Sequence, residues 1–493
     1  MKRAVILIAT VFISLTLAAE DKISLNMAVE KALKNNKQLQ SIQAEKIIAD
    51  GKKEQAKSAY FPKIKLNAGI THLSEVPDIL QLTNKLVGLN NAVNAMADIQ
   101  LADYTTMKNY YTGLEAANPG KYTQLVGTYT QLEANQAMVA GALEQKESYD
   151  TNLNYFGVKL NFEQPLYTGK KIKSLNKQAD ENQTVAELNI KIMENNLTYD
   201  VKKAYYTVLQ AEEIYETAKE GLAAIEEHYR EAESYYKAGF ATKVDVSRAD
   251  AKRSEMKQKV IAAENGVKLS KSALLFIMGE DINKKLEIVR ENEIKELKCE
   301  SNECVEIAIK NRNELKLIDK KIKMAEYGIE IAKSEKRAIV ALTGEIGEVT
   351  NRPFQKNSDD IEWQIALVGS YTIFDGGSTA GKIKEIKGSI EQAKIGKDQI
   401  KQGIEFEVKQ AYLNLKNAIE AVESAKKSVI HSEETMKLAE SGYRAGVTSS
   451  LEVVDANMAV VQAKNSYTIA KNQYNLAVAQ LEKATGVNNW EVE

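Results

Sequence analysis

Histidine, cysteine and carboxylate side chains are the groups in this sequence that could bind a metal or catalyse a reaction. The three histidines, His72, His228 and His431, are too widely separated to suggest a metal site. No glycine-rich phosphate loop opens a helix, and no nucleophile is paired with a base. We therefore predict that the protein is not an enzyme, has no metal site and needs no cofactor.

Carboxylates also lie at two predicted helix starts. Thr242–Asp245 and Ser449–Glu452 both follow the capping-box pattern, in which the acid closes the first turn of the helix. Gly239 and Gly446 come just before these segments and are most simply helix C-caps in a left-handed conformation. Each segment therefore predicts a tight turn between two helices.

The helices that meet at the second turn have a coiled-coil pattern. Small or apolar residues recur at alternating steps of three and four over Val408–Tyr443, and again over Val453–Ala484. A period near 3.5 keeps one stripe facing a partner helix. Two such stripes joined by one turn predict an antiparallel hairpin, and the many alanines in them allow a close approach of the helices.

An equivalent hairpin is predicted earlier in the chain. Val201–Tyr236 and Val246–Ile277 repeat the pattern at one constant interval, and both copies end on a glycine, Gly279 or Gly486. An interval held over this length predicts two tandem structural repeats. The predicted divisions are residues 20–278 for the first repeat, 279–301 for an equatorial linker, 302–486 for the second repeat and 487–493 for a tail.

Residues 1–19 have the layout of a secretory signal peptide, because two basic residues precede the apolar run Ala4–Leu17 and two alanines follow it. A membrane anchor is the alternative, although the run is short for a span. Export would permit a disulfide between Cys299 and Cys304, which lie close together in the sequence. Two free thiols are the other state that the sequence leaves open.

A helix is predicted over Ser24–Ser58. After it, the spacing of the apolar residues changes from the helical period to a period of two. Apolar and polar residues alternate in Pro62–Thr71, Phe156–Glu163, Val340–Ile346 and Ile361–Ile373. Such alternation is typical of membrane strands with one face toward lipid and one toward water. An ordinary half-buried antiparallel sheet is the alternative.

The first repeat has an insertion at about 77–148, between its two strands. It is found from the repeat interval, which is longer before the strands, where Ala32 corresponds to Ala308, than after them, where Gly169 corresponds to Gly376. The segment is rich in Asn, Tyr, Gln and Gly, with some helical pattern at Ile79–Met96. A connection of this length usually has its own function or is disordered.

Four strands in one chain cannot close a barrel. A sheet that crosses lipid must be closed, because its edges carry unpaired backbone groups, and known barrels have at least about eight strands. Two copies of the chain would supply eight strands and three would supply twelve. The fold prediction is therefore mainly α with a membrane β-barrel portion, built from several chains whose long hairpins pack into an α-helical tube.

At this point the sequence resembles the TolC-type outer-membrane efflux proteins over nearly its whole mature length. The resemblance rests on the doubled hairpin, the turn Ala445–Ala456, the strand exit Phe374–Gly377 and the helix segment Ala32–Asn36. It implies a homotrimer with a 12-stranded β-barrel in the outer membrane lipid and a helical tunnel in the periplasm. The implied function is the exit duct of a tripartite efflux pump or a one-step secretion system, with a periplasmic adaptor and an inner-membrane transporter as partners.

The resemblance also implies roles for residues at the turns. Glu452 and Asp455 fall at positions of acidic rings that narrow the periplasmic entrance, and Asp245 and Tyr443 at positions of a latch. For Asp245 and Glu452 the alternative is helix capping, and for Tyr443 it is a place at the end of the coiled-coil stripe.

The family's latch arginine is replaced by Thr448, so that either Arg444 substitutes for it or the closed state is held differently. Gly239 and Gly446 would expose the tips to the adaptor.

Two other classes stay open. An exported coiled-coil structural protein or adhesin would explain the heptads, and a secreted helical pore former would explain export and the long helices. Nucleic-acid binding is not predicted, because 66 basic and 68 acidic residues give a net charge of -2 without a basic excess.

Overall fold

A computed structural model describes residues 22–73, 104–131, 153–290, 300–350 and 361–487. The predicted signal peptide, Cys299, Ile79–Met96 and nearly all of the predicted tail lie outside these residues. The chain divides into two compact units. The helical unit consists of Met1–Tyr60, Tyr167–Ile339 and Ser370–Glu493, and the sheet unit of Phe61–Leu166 and Val340–Gly369.

The helices and strands follow the order that the sequence predicts. They are α1 Leu25–Asn35, α2 Lys37–Ser58, β1 Lys63–Leu73, α3 Tyr104–Ala117, β2 Leu153–Tyr167, α4 Lys171–Lys237, α5 Lys243–Met278, α6 Ser301–Asn311, α7 Asn313–Ser334, β3 Ile339–Thr350, β4 Ile361–Ser370, α8 Ser378–Arg444 and α9 Ser450–Thr485.

The tandem repeat is confirmed by the long helices. Both α4 and α8 have 67 residues, and both α5 and α9 have 36 residues. The interval between equivalent helices is the same at their first and last residues in both pairs, and it equals the interval that the sequence pattern predicts. A helix of 67 residues spans about 100 Å. The residue bounds predicted for the repeats and the linker stay a prediction.

The helical unit is held together by the predicted coiled-coil stripes. α4 packs against α5 to form the first hairpin, α8 packs against α9 to form the second, and α4 and α9 join the two hairpins. Small side chains at the contacts let the helix axes approach closely. The buried residues of the stripe in the second hairpin include Val408, Ala411, Leu415, Ala418, Ala470, Tyr474, Ala477 and Leu481.

The single helix predicted over Ser24–Ser58 is wrong, because the chain bends at Asn36 and forms α1 and α2. Asn36 has an extended ψ of 125°, and its Oδ1 accepts hydrogen bonds from the backbone N–H groups of Gln38 and Leu39. Its Nδ2 donates to the Ile277 carbonyl at 2.9 Å. The side chain therefore caps α2 and satisfies a carbonyl in the last turn of α5.

Arg312 occupies the equivalent bend of the second repeat, between α6 and α7. It is 8% exposed and donates from Nη1 to the Ala484 carbonyl at 3.0 Å. The guanidinium also pairs with Glu314 and Glu407, both at 2.9 Å. Asn36 in the first repeat and Arg312 in the second thus donate hydrogen bonds to carbonyl groups at equivalent positions, in the last turns of α5 and α9.

The segment that follows α5 packs against the start of the chain. Ile23 forms a parallel bridge with Ile288, and both side chains are buried. The Tyr205 hydroxyl lies 3.1 Å from the Ile23 carbonyl oxygen and 2.6 Å from that of Val289. Cys304, buried in α6, is disulfide-bonded, which answers the question that the sequence left open for this residue.

The four strands form one sheet in the order β1-β2-β3-β4. β1 and β2 are antiparallel, with Lys63 opposite Glu163 and Leu73 opposite Leu153. β2 and β3 are longer than the alternating segments predict, and β4 ends at Ser370 instead of Ile373.

The part of the insertion that the structure describes is helical. α3 and residues 123–131 are joined by a turn in which the Glu115 carboxylate accepts hydrogen bonds from the backbone N–H groups of Gly120 and Tyr122, each at 2.5 Å. The rings of Tyr111 and Tyr129 stack at 5.4 Å between these helical segments. Within the described residues, no helix has an apolar stretch long enough to cross a bilayer.

Candidate functional site

The first hairpin ends in a turn that begins at Gly239, whose φ of 85° is left-handed. Asp245 then closes the start of α5. Its Oδ2 accepts hydrogen bonds from Thr242 N and Oγ1 at 3.0 and 2.7 Å, and its own N–H donates to Thr242 Oγ1. The Thr242 hydroxyl is the main cause that holds the pKa of Asp245 below its ordinary value. Asp245 therefore acts as a capping residue in this structure, whatever further role it has.

The second hairpin turns in the same way at Gly446, whose φ is 78°. Here Ser449 Oγ accepts from the Glu452 N–H at 3.4 Å, which caps α9. Glu452 itself is exposed, and among the hydrogen bonds of the described residues none is formed by its carboxylate. The carboxylate of Asp245, its repeat counterpart, forms capping hydrogen bonds, whereas that of Glu452 does not.

Asp455 lies one turn further along α9 and is exposed. Its negative charge acts on Lys252 of α5, whose pKa is raised mainly by a hydrogen bond to Glu255 and to a smaller extent by Asp455. Asp455 is therefore beyond the cap, as the sequence predicts, and faces a lysine of the first hairpin.

Tyr443 and Arg444 end α8 beside the first hairpin. Tyr443 is buried, and its ring lies 5.0 Å from the ring of His228 and 5.5 Å from that of Tyr235. Arg444 Nε pairs with Glu231 of α4 at 3.1 Å. Both residues thus contact the opposite hairpin, which is the geometry that a latch needs.

His228 is the residue of this cluster that sequence reasoning missed. It is 4% exposed, and its Nε2 lies 2.8 Å from Ser450 Oγ in the first turn of α9. Burial lowers the pKa of the imidazole, with Glu231 and Asp245 acting in the opposite direction. The signal that could have found it is a second stripe on α4, at Gly221, Ile225, His228, Ala232 and Tyr235, with steps of four and three.

The contact between the two hairpins differs in chemistry from the contacts within them. Going along α4 and α9 from the tips, the His228–Ser450 pair is followed by ion pairs in a constant antiparallel register. These are Lys464–Glu220 at 3.0 Å, Lys471–Glu213 at 2.8 Å and Lys202–Glu482 at 2.5 Å. The hairpins are therefore joined by polar pairs together with one small apolar cluster of Ile225, Met256, Val454 and Val461, whereas alanine and other small apolar residues join the helices of each hairpin.

The two turns also border a cleft of about 430 Å³ whose lining includes Tyr235, Asp245 and Tyr443. Two apolar side chains beside it are strongly exposed. Phe240 and Val447, which are equivalent in the two repeats, are 86% and 83% exposed. Exposed apolar groups at such positions are typical of contact surfaces.

In the sheet unit, every strand has exposed apolar residues. The register pairs Ile64 with Phe162 and Leu66 with Leu160, so the apolar positions of β1 and β2 share one face. Trp363 of β4 is 71% exposed. The exposed apolar residues of the strands include Ile64, Leu66, Ile70, Val158, Leu160, Ile346, Ile361, Trp363, Ile365 and Leu367. A soluble sheet would bury such a face.

Positions between these apolar residues are polar and pair with one another. Asn67 lies opposite Lys159, and Lys159 Nζ pairs with Glu345 Oε1 of β3 at 2.5 Å. One polar and one apolar face, in register, are the pattern that the sequence predicts for a membrane sheet. Within the described ranges, no group of His, Cys, Asp and Glu side chains could hold a metal ion.

Comparison with known proteins identifies the family. The sequence profile of the outer membrane efflux proteins matches residues 121–280 and 304–487, one match in each repeat. The chain is 23% identical over 263 residues to the outer membrane efflux protein BepC of Brucella suis, an alignment that spans 53% of this chain but only 56% of BepC. It is also 23% identical over 300 residues to the outer membrane protein TolC of Vibrio cholerae, covering 60% of this chain and 68% of TolC.

The fold is similar to that of solved channel structures. The Campylobacter jejuni CmeC outer membrane channel superimposes with a TM-score of 0.72 at 16% identity, over 94% of this chain and 85% of CmeC. The family resemblance and the fold class that the sequence predicts are thus confirmed. The match favours a channel over the exported structural protein or adhesin that the sequence left open.

Proposed function

The chain belongs to the outer membrane efflux protein family, and on that basis we propose that it is a passive channel-tunnel in the outer membrane. It would serve as the exit duct of a tripartite efflux pump or a one-step secretion system, with its helices in the periplasm. The observation that carries the proposal is the sheet with an uncovered apolar face. In a membrane, lipid would cover this face, so that its apolar area would not be exposed to water.

A single copy of the chain does not complete the channel. The described sheet has four strands, with β1 and β4 at its edges. Edges in lipid leave backbone N–H and C=O groups unpaired, at a cost of several kcal/mol for each group. We propose that three copies join these edges into a 12-stranded barrel, a size within the range of known barrels.

The helices support the same homotrimer. Among the four long helices α4 and α9 are the inner pair, so α5 and α8 are the outer ones. Both outer helices expose large apolar residues, mostly at steps of seven or eight: Ile261, Leu269 and Phe276 on α5, and Phe406, Leu413, Ile430 and Leu438 on α8. A head-to-tail contact of α5 with α8 of the next copy would cover both faces and close a ring.

The tips would form the periplasmic entrance and the contact with partners. Asp455 and Glu452 have exposed carboxylates, and three copies of each around an axis would favour cations. We propose Asp455 as the main gate residue, with Glu452 and the capped Asp245 beside it.

Tyr443 and Arg444 would latch the two hairpins of one chain. The turns at Gly239 and Gly446, with the apolar Phe240 and Val447, would receive a periplasmic adaptor, which links the channel to an inner-membrane transporter.

Single-channel conductance in planar bilayers tests the proposal. The purified mature protein should insert and give a small, cation-selective conductance, because the ring of Asp455 carboxylates stands in the path of ions. Asp455→Ala should raise the conductance or reduce the cation selectivity. The matched control is Glu391→Ala, which removes an exposed carboxylate from α8 far along the chain from the turn.

The outcomes separate the parts of the proposal. A channel that is indifferent to Asp455→Ala would remove the gate assignment and keep the channel. An equal response to Glu391→Ala would show a general effect of charge. Folded protein that never inserts would contradict the channel itself.

A further inference from the structure

The buried histidine at the junction of the two hairpins is present in only one of the two repeats. His228 of α4 lies between the last turn of α8 and the first turn of α9, in contact with Tyr443 and Ser450. Its repeat counterpart is Thr435, which is exposed. A second copy of the same helix therefore folds without an imidazole at this position.

The hydrogen bonds of His228 suit the neutral imidazole. Nε2 has a partner in Ser450 Oγ at 2.8 Å, whereas Nδ1 is buried without a hydrogen-bond partner. A neutral imidazole can leave Nδ1 as a bare acceptor, but an imidazolium carries N–H groups on both nitrogens. Protonation in place would thus bury an unpaired N–H and a charge, both of which are costly.

The charged groups around the ring only partly oppose this effect. On α4 the carboxylate of Glu231 is near, but it is paired with Arg444 of α8. On α5 the carboxylate of Asp245 is also near, but it is bound to Thr242. On α9 the backbone of Ser450 also favours the charged imidazole, and Tyr443 of α8 is a neutral neighbour. Burial is the largest influence, and it lowers the pKa of His228 below its ordinary value.

The sign of the pH effect follows from this lowered pKa. Below the ordinary value of 6.5 a separated pair of hairpins, with His228 in water, binds the proton more readily than the closed pair does. The contribution of His228 to the closed state is therefore complete above about pH 6.5 and falls as the pH drops toward the lowered pKa. Acid favours separation of the tips.

The effect is confined to the tip end of the contact. Further along α4 and α9 the contact continues through an apolar cluster that contains Ile225 and Val461, and then through lysine–glutamate pairs, of which Lys464–Glu220 is the first. Histidine is the side chain that ordinarily changes charge between pH 5 and 8. In the described part of this contact His228 is the one histidine.

We propose that His228 is a pH-responsive latch residue, which joins the two hairpin tips through Ser450 when it is neutral and releases them when it is protonated. The inference rests on the proposed function in one respect, that the tips are the channel entrance. It assigns to this entrance a regulation by proton concentration. A more acidic periplasm would then favour the open state without any change in the transporter or the adaptor.

The test compares four forms of the full chain from pH 8 to pH 5.5: wild type, His228→Gln, Ser450→Ala and the control His431→Gln, which changes an exposed histidine of α8. Glutamine can keep a hydrogen bond to Ser450 but does not titrate. Hydrogen–deuterium exchange of the peptides around the two turns measures tip opening, and bilayer conductance measures its consequence. Comparison at each pH cancels the titration of the entrance carboxylates, which all four forms share.

In the wild type and in His431→Gln, opening of the tips should increase several-fold as the pH falls from 8 to 5.5, up to a limit of about tenfold that the ordinary imidazole pKa of 6.5 in the separated tips sets. In His228→Gln the increase should be less than about twofold, and Ser450→Ala should start more open at pH 8. An equal pH response in His228→Gln and wild type would overturn the proposal, as would no response in the wild type. If the tips respond in exchange but no form conducts, the proposed channel fails while the latch stands.

Discussion

Gly221 allows us to test how closely the two hairpins approach. It is buried on α4, in the stripe that contains His228, where α4 meets both α5 and α9. A Cβ built on this glycine would lie 2.5 Å from Val461 Cγ2 of α9 and 2.8 Å from Met256 Cε of α5. Gly221→Ala must therefore push one of these neighbours away.

Two free-energy changes of opposite sign decide the size of the effect. Alanine stabilises a helix interior by about 1 kcal/mol relative to glycine. Overpacking a well-packed contact costs about 1–3 kcal/mol. Met256 ends in a flexible group that can move, whereas Val461 is β-branched and has essentially one rotamer in a helix. We expect the cost at Val461 to cancel or exceed the gain in helix stability.

Gly266→Ala is the matched control, because Gly266 is exposed on α5 and a Cβ there would meet nothing within 4 Å. This variant should therefore gain only the helix stabilisation of about 1 kcal/mol, without any cost of overpacking. In urea unfolding followed by circular dichroism at 222 nm, Gly221→Ala should be less stable than Gly266→Ala by about 1–3 kcal/mol.

Adding Val461→Ala to Gly221→Ala should recover at least about 0.5 kcal/mol relative to the sum of the single changes. Equal stabilisation by both glycine substitutions would refute the close contact of α4 with α9.

Two further predictions concern the sheet face and the bend at Arg312. Trp363→Arg on the apolar face of β4 should destabilise the folded barrel by about 2–4 kcal/mol, whereas the adjacent Gln364→Arg should cost much less; urea titration of the detergent-solubilised protein measures both, and equal costs would contradict the assignment of the lipid face. Arg312→Met should cost about 3 kcal/mol, because it removes the cation between Glu314 and Glu407, which are only partly exposed. An unchanged unfolding midpoint for Arg312→Met would show that this cluster does not stabilise the chain.

The fold was predictable because its main elements repeat and have strong periods. The long hairpins were found from the heptad steps and the constant interval between the two copies, and these agree with the helix ends in the structure. The bend at Asn36 was missed because no proline or glycine marks it. It is made by a contact distant in sequence, the hydrogen bond to the Ile277 carbonyl. Its counterpart in the second repeat is an arginine, so comparison of the repeats gave no signal either.

The candidate site was predictable only in part, for a related reason. The turns and their caps have local patterns, and Thr242 with Asp245 forms the predicted capping box. The junction of the hairpins has no such local pattern, because it combines charged pairs such as Lys464–Glu220 with a small apolar cluster that contains Val461. A search for apolar periodicity finds the stripes within each hairpin. It does not detect polar residues such as His228 and Lys464, although their positions also follow steps of three and four.

This difference in chemistry bears on how the entrance could open. Separating the helices of one hairpin would expose the alanine-rich apolar stripe to water, which is unfavourable in proportion to the area exposed. Separating α4 from α9 would expose only the smaller apolar cluster around Val461 and would break ion pairs such as Lys471–Glu213, whose groups water can solvate again. Each hairpin should therefore move as a unit, and the contact between hairpins should be the one that yields. His228 lies at the tip end of that contact, so its protonation would act where the proposed entrance has to widen.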